Sequence, residues 1–262
     1  MDVTVNGIKL YVDEHGAGEL AIVFLHYWGG TSRTWKSVIK ALKADVRSLA
    51  FDARGWGKSD RPADDYDIAS MANDIEVAIS SLGLKRYVLV GHSMGGKVAQ
   101  LLASRRPVGL AGLILVAPSP AQGKALPEGV REGMKNGYAS RESTAWTVDN
   151  ILTELPLSQA LHDQVIDDSI GGAAAAKQHW PAAGISEDVS GDLDRIEVPV
   201  LVIGGEKDKV DSVELLRSVV VPSLPGAELS VIPGVGHLLP LEAPQEVASL
   251  ITAFLANRVR SI

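Results

Sequence analysis

Cysteine is absent from the 262 residues of this sequence. Its absence excludes disulfide bonds, a thiol nucleophile and thiolate metal sites, and it fits a reducing compartment such as the cytoplasm. The sequence also lacks a basic amino-terminal segment leading into an apolar one, and no apolar run approaches the length of a membrane span. We therefore expect a cytoplasmic protein that has no membrane partner.

Dense clusters of basic residues are missing as well. The chain has 25 Lys and Arg against 32 Asp and Glu, which gives a formal net charge of −7. Because such a surface does not attract phosphate backbones, we expect no nucleic-acid partner. No two of the six histidines have the i, i+4 spacing with glutamate that a zinc protease needs. We therefore expect neither a metal nor another cofactor.

What the sequence does contain is an alternation of short apolar runs with segments of helical spacing. It begins with alternating residues around Asn6-Gly7, a pair typical of a β-hairpin turn. Strands are then predicted at 20–25, 46–51, 87–90, 110–116, 198–203 and 228–232, and helices at 35–43, 68–82, 98–103 and 245–259. Apolar strands that alternate with helices predict an α/β fold with a mostly parallel central sheet and helices on both faces.

One interval interrupts this alternation. Residues 119–197 contain no convincing strand, and the interval 119–198 contains helical stretches at 130–138 and 144–153. A further helix face ends at Gly171-Gly172 and is formed by Leu157, Leu161, Val165 and Ile166. We interpret the interval as a helical lid over the carboxyl ends of the strands. The core domain would then comprise residues 1–118 and 199–262.

The chain is organised around residues 91–96, which read GHSMGG. A strand precedes this segment and a helix follows it, so that Ser93 is expected in a tight strand-to-helix turn. Such a turn strains the backbone of the serine and exposes its hydroxyl above the amino-terminal end of the helix. The pattern predicts that Ser93 is a nucleophile.

A serine hydroxyl needs a base, and the base needs an acid that orients it. Asp208 follows the strand predicted at 198–203 and is the candidate acid, while Glu206 and Asp211 lie close to it in sequence. His237 follows the last predicted strand in a glycine-rich loop and is the candidate base. The order serine, aspartate, histidine is the one expected for this kind of turn.

Acyl transfer also requires donors for a negatively charged oxygen. The backbone N–H of Met94, directly after Ser93, is one candidate. The loop after the first buried strand reads HYWGG over residues 26–30, and by position the backbone N–H of Trp28 is the second. His26 is interpreted as a structural residue that ties this loop down, and His92 as a packed neighbour of the site.

With these motifs in place, the sequence resembles the α/β-hydrolase family over its whole length except the helical interval. The matching segments are residues 91–96, 52–60 (DARGWGKSD), 204–208 (GGEKD) and 234–237 (GVGH). The resemblance is to the group of small carboxylesterases, enol-lactonases, cofactor-free haloperoxidases and C–C hydrolases. It implies that Asp52 and Arg54 stabilise a turn and are not catalytic.

Three positions refine this resemblance. Ser93 departs from the haloalkane dehalogenase and epoxide hydrolase pattern, where an aspartate occupies its place. Tyr27 stands where the family usually has glycine, and this affects the geometry expected for the oxyanion loop. Haloperoxidase-like members tend to carry proline after the tryptophan, whereas this chain has Gly29. The comparison favours hydrolysis over perhydrolysis.

The sequence thus predicts a serine hydrolase that cleaves a small, largely apolar ester or lactone. The apolar preference comes from aromatic side chains expected around the serine, namely Tyr27, Trp146 and Trp180. A C–C bond hydrolase of vinylogous diketones would use the same three residues. A ligand receptor with the hydrolase fold is a third alternative, although a receptor needs no aligned acid, base and nucleophile.

Overall fold

The structure is a computed structural model, and it describes residues 1–42 and 45–259. One sheet has the strand order β1-β2-β4-β3-β5-β6-β7-β8. The strands are β1 (Asp2–Val5), β2 (Ile8–His15), β3 (Leu20–Leu25), β4 (Arg47–Phe51), β5 (Arg86–His92), β6 (Leu110–Val116), β7 (Val200–Gly205) and β8 (Glu228–Ile232). β2 is antiparallel to β1 and to β4, and every pair from β4 to β8 is parallel. The predicted mostly parallel sheet is therefore confirmed.

The first hairpin forms because its turn residues tolerate a left-handed backbone. Asn6 and Gly7 have φ angles of 46° and 83°, which a two-residue turn with positive φ at both positions requires. Val5 then pairs with Ile8. β2 pairs in turn with β4 in antiparallel orientation, so that β1 forms the edge of the sheet.

The parallel strands are covered on both faces, as their continuous apolar sequences predict. Alternate residues of a strand point to opposite faces. In β3, Ala21, Val23 and Leu25 belong to one hydrophobic cluster, while Leu20, Ile22 and Phe24 belong to another. Each cluster also contains helix residues, so that helices pack on both sides of the sheet.

The described chain contains ten α-helices, of which the last two follow β8. They are α1 (Lys36–Ala41), α2 (Ile68–Ser81), α3 (Met94–Ser104), α4 (Glu128–Gly137), α5 (Arg141–Thr147), α6 (Gln159–Gly171), α7 (Ala174–Ala182), α8 (Val213–Leu215), α9 (Leu239–Glu242) and α10 (Pro244–Phe254). A π-helical turn at Leu255–Val259 extends α10. Of the helix predicted at 35–43, position 43 lies outside the described residues. No helix within the described ranges is both long and apolar enough to cross a membrane.

The strand predicted at 198–203 begins two residues later than expected. Proline has no backbone N–H to give to a sheet ladder. Pro199 contributes only its carbonyl, which accepts a hydrogen bond from Leu113 at 3.0 Å, and β7 starts at Val200. β7 ends at Gly205, so that its carboxyl end is close in sequence to Asp208.

Helices α4–α7 form the insertion between β6 and β7 and are called the helical insertion below. As predicted, residues 119–197 contain no strand. Leu157 was expected on a helix face, but it precedes α6, because the hydroxyl of Ser158 caps that helix by accepting from the N–H of Leu161. The helix ends at Gly171 as expected. The assignment of residues 119–198 to a separate lid domain stays a proposal.

Candidate active site

Ser93 lies in the turn between β5 and α3, at the carboxyl edge of the sheet. Its backbone has φ 51° and ψ −112°, a conformation that side chains other than glycine rarely adopt. The turn is tight on both sides, since a Cβ on Gly91 would lie 2.4 Å from the carbonyl oxygen of Gly95. A Cβ on Gly95 would lie 2.6 Å from the carbonyl oxygen of His26. The structure thus shows the strained serine turn that the pattern of residues 91–96 predicts.

Asp208 and His237 form a buried pair beside this turn. Oδ2 of Asp208 is 2.8 Å from Nδ1 of His237, so that Nδ1–H donates and Nε2 is left as the basic nitrogen. The other oxygen, Oδ1, accepts from the backbone N–H groups of Val210 at 2.7 Å and Asp211 at 3.0 Å. The carboxylate is therefore fixed at both oxygens and holds the ring in one tautomer.

The charge of Asp208 changes the basicity of His237. Burial disfavours the charged ring, but the charge and the hydrogen bond of Asp208 outweigh it. The carboxylate of Asp211 acts in the same direction. The pKa of His237 is therefore raised above its ordinary value of 6.5, as expected for an imidazole next to carboxylates.

The backbone of His237 is held from two sides. The carbonyl of Leu152, in a π-helical turn of the insertion (Val148–Leu152), accepts from the N–H groups of His237 at 2.9 Å and Leu238 at 3.0 Å. Nε2–H of His92 donates to the carbonyl oxygen of His237 at 2.9 Å. Burial, together with the neighbouring His237, lowers the pKa of His92 well below its ordinary value. The neutral ring of His92 thus supports the histidine loop, a contact that sequence reasoning had reduced to packing.

Ser93 and His237 line the same cavity. Within the described residues no hydrogen bond joins the hydroxyl of Ser93 to Nε2 of His237. Such bonds are often long in an enzyme without substrate and shorten when substrate binds. Asp208 is thus hydrogen-bonded to His237, and Ser93 lines the same cavity as His237.

In the loop over residues 26–30, hydrogen bonds fix the direction of the Trp28 backbone N–H. The carbonyl oxygen of Tyr27 accepts from Nδ1–H of His26 at 2.7 Å and from the N–H of Gly30 at 2.9 Å. Nε2 of His26 in turn accepts from the N–H of Ala53 at 3.0 Å. In a trans peptide the N–H points away from the carbonyl, so these bonds fix the direction of the Trp28 N–H. His26 thus ties the loop down, as predicted.

The Trp28 and Met94 N–H groups share one property. Among the described residues, neither donates to a protein acceptor, and both residues are buried. A buried N–H without a partner is rare. The loop and the turn are also bonded together, because the N–H of Gly95 donates to the carbonyl of His26 at 3.2 Å. The Trp28 and Met94 N–H groups are therefore candidate donors in two segments that are bonded to each other.

The cavity has a volume of about 370 Å³ and walls that are mainly apolar. Tyr27, Trp146 and Trp180, the residues predicted from sequence, all line it. Trp180 is buried, whereas Trp146 is 59% exposed and stands at the opening. Further apolar lining comes from Leu126, Met134, Tyr138, Ile151, Leu152 and Ile185. Leu161 packs against a small cluster that contains Tyr27, Val148 and Leu152.

A charged pair that sequence reasoning missed interrupts this apolar wall. Nζ of Lys124 is 2.8 Å from Oδ1 of Asp211 and donates to the carbonyl of Val210 at 3.1 Å. Burial raises the pKa of Asp211, and its Oδ2 has no hydrogen-bond partner. The carboxylate that is hydrogen-bonded to His237 is that of Asp208, whereas that of Asp211 is bonded to Lys124.

The other acids near the site have structural roles. Oε2 of Glu206 accepts from the N–H of Gly234 at 2.9 Å and so stabilises the loop that precedes His237. Asp52 accepts from the N–H groups of Ser32 at 2.6 Å and Lys58 at 2.8 Å, as the turn-stabilising role implies. Across the described ranges, no group of three or more histidine, aspartate or glutamate side chains is arranged to hold a metal.

The strand order and the strained serine turn are those of an α/β hydrolase. A sequence profile of the alpha/beta hydrolase family matches residues 22–250. The chain therefore belongs to the alpha/beta hydrolase family, and the resemblance inferred from its motifs is confirmed.

Three similar proteins illustrate the range of the family. A non-heme chloroperoxidase from Streptomyces lividans is 29% identical over 250 residues, which cover 85% of this chain and 90% of that protein. The bifunctional esterase/perhydrolase DCH from Acinetobacter calcoaceticus is 26% identical, with 97% and 98% covered. An esterase from Exiguobacterium antarcticum superposes with a TM-score of 0.89 at 24% identity, with 98% and 99% of the two chains covered. This last similarity concerns the fold.

Proposed function

We propose that this hydrolase cleaves small, largely apolar carboxylic esters or lactones through an acyl-enzyme on Ser93. The observation that carries the proposal is the 2.8 Å pair of Asp208 and His237 beside the strained turn of Ser93. A serine hydroxyl becomes nucleophilic when an oriented base accepts its proton. Ser93 and His237 line one cavity, and Asp208 orients the ring of His237, an arrangement that a purely structural role would not require.

In the first half of the reaction, the oxygen of Ser93 attacks the carbonyl carbon while Nε2 of His237 takes its proton. The protonated His237, stabilised by Asp208, then gives this proton to the leaving alcohol, and the C–O bond breaks. Water attacks the acyl-enzyme in the second half with His237 again as base. The carboxylic acid leaves, and Ser93 regains its proton.

The charge that develops on the carbonyl oxygen is met by the N–H groups of Trp28 and Met94. Preorganised donors at this place are among the largest contributions to catalysis in acyl transfer. Both N–H groups lack a protein acceptor within the described chain, which supports their assignment to this oxygen. The loop and the turn that carry the donors are bonded to each other, so that the donors are held in place before the substrate binds.

The cavity supports the apolar substrate class. A volume of about 370 Å³ lined by Tyr27, Trp146 and Trp180 accommodates a short to medium acyl chain or an aryl group. Each methylene buried there adds about 0.8 kcal/mol until the cavity is full. In this proposal residues 119–198 are the lid that supplies most of the lining.

The proposed chemistry uses side chains and backbone groups of this chain and a small-molecule substrate. The ester class is also supported by the name of the 26% identical esterase/perhydrolase. The serine at position 93 supports an acyl-enzyme, since an aspartate would form an ester with the substrate carbon instead. A cytoplasmic location stays a prediction from the absence of cysteine.

A panel of p-nitrophenyl esters from C2 to C12, with a vinylogous diketone assayed beside it, tests the proposal. We expect turnover of the short and medium esters that is lost in Ser93→Ala. Turnover of the diketone alone would favour the C–C hydrolase. Tight binding of panel compounds without any turnover would favour the receptor, and ester turnover that survives in Ser93→Ala would refute the mechanism.

A further inference from the structure

The oxyanion loop is bonded to the helical insertion through two successive carbonyl groups. The hydroxyl of Tyr138, directly after α4, donates to the carbonyl oxygen of Trp28 at 3.0 Å. The hydroxyl of Ser169, in α6, donates to the carbonyl oxygen of Gly29 at 3.0 Å. Since the preceding carbonyl, that of Tyr27, is bonded within the loop itself, two of the three consecutive carbonyls depend on the insertion.

Packing reinforces these bonds. The ring of Tyr138 lies 4.2 Å from that of Trp28, with 32° between their planes. Gly29 has φ +99°, and a Cβ on it would lie 2.6 Å from the ring of Tyr138. The loop therefore takes a glycine-only conformation directly beneath this ring. Tyr138 and Ser169 are both buried, so that water does not compete for their hydrogen bonds.

We propose that Tyr138 and Ser169 are positioning residues that hold loop 26–30 in the conformation in which the Trp28 N–H faces the substrate oxygen. This inference rests on the proposed role of Trp28 in ester hydrolysis. The helical insertion then helps to build the oxyanion hole in addition to lining the cavity. Release of these two bonds leaves the two peptides that follow Trp28 without a partner in the insertion, so that the loop can shift. The Trp28 N–H belongs to the preceding peptide, which stays bonded through the Tyr27 carbonyl and moves with the loop. A small displacement of a donor is enough to slow acyl transfer.

The test is Tyr138→Phe, which keeps the ring and removes only the hydroxyl. We expect kcat on a p-nitrophenyl ester to fall about tenfold or more, with KM changed by less than about twofold, because the donor acts on the transition state. Tyr66→Phe is the matched control: the Tyr66 hydroxyl also donates to a backbone carbonyl, that of Pro62 at 2.6 Å, but outside the cavity. It should leave both constants unchanged. Ser169→Ala should lower kcat in the same way, and it replaces Tyr138→Phe as the test if that variant does not fold.

A second measurement separates this inference from the proposed function. The N–H of Gly30 is bonded to Tyr27 inside the loop, so its hydrogen exchange reports loop order without any substrate. Exchange should be faster in Tyr138→Phe and in Ser169→Ala than in wild type and in Tyr66→Phe. Unchanged exchange, or faster exchange with unchanged kcat, would overturn the inference. If wild type hydrolyses no ester at all, the proposed function fails, and the exchange rates alone decide whether the insertion orders the loop.

Discussion

The pair of Lys124 and Asp211 allows a sharp prediction, because it is buried, charged and incompletely bonded. Asp211 has a side chain that is 1% exposed, and that of Lys124 is 15% exposed. Removing one partner of a buried ion pair costs about 3–5 kcal/mol, since the remaining charge is left without compensation. Replacing both partners by apolar residues of similar volume is often neutral or stabilising.

Lys124→Met should therefore lower the free energy of unfolding by about 3 kcal/mol, the lower end of that range, because part of Lys124 reaches solvent. The double variant Lys124→Met/Asp211→Leu should recover most of this loss. Lys209→Met is the matched control, since Lys209 also lines the cavity but is 48% exposed and lies 3.4 Å from Glu154. An exposed pair of this kind contributes at most about 1 kcal/mol.

Urea unfolding of the four proteins, followed by circular dichroism, measures these differences. The pH dependence of kcat/KM provides a second readout, because Lys124 lowers and Asp211 raises the pKa of His237. Lys124→Met should move the acid limb to higher pH, and the double variant should move it back. The reasoning is refuted if the double variant is as unstable as Lys124→Met, or if Lys209→Met costs as much.

The remaining predictions concern the reaction itself. Ser93→Ala and His237→Ala should each lower kcat about 10³-fold or more with the fold retained by circular dichroism, and Asp208→Asn somewhat less; near wild-type turnover in Ser93→Ala contradicts the mechanism. Because His237 must be neutral to act as base and its pKa is raised, kcat/KM should fall as pH decreases, with a midpoint above 6.5; a midpoint below 6.5 speaks against this base. Trp180→Ala should extend the acyl chain length preferred across C2 to C12 esters more than Trp146→Ala, because Trp180 is buried and Trp146 is exposed; unchanged profiles in both would show that neither shapes the cavity.

Sequence reasoning succeeds where a local pattern dictates the geometry. Residues 91–96 predict the serine turn because only glycine fits at positions 91 and 95 on the two sides of Ser93, and a strand before them and a helix after them define its direction. Asp208 and His237 were found because each follows a strand of a parallel sheet, and the carboxyl ends of such strands meet at one edge. The antiparallel hairpin of β1 and β2 could also be predicted from a local pattern, since Asn6 and Gly7 are suited to its turn.

The parts that sequence reasoning missed are contacts between distant segments. Lys124 and Asp211 are 87 positions apart, and Tyr138 and Trp28 are 110 positions apart. No periodicity or spacing reports such a pair, because each depends on how the insertion packs on the sheet. The start of α6 was missed for a different reason: the apolar Leu157 fits the helical period, but the cap formed by Ser158 decides where the helix begins.

Gly29 shows how one loop residue limits the routes by which this enzyme could change during evolution. Haloperoxidase-like members of the family tend to carry proline at this place, and proline fixes φ near −65°. Gly29 has φ +99° with the ring of Tyr138 against it, so a single change to proline would require the loop to fold differently and Tyr138 to move away. Exchange between the two loop forms therefore demands coordinated substitutions in the loop and in an insertion more than a hundred residues away. Position 29 is thus coupled by packing to position 138, and a change at one of them constrains which residues the other can accept.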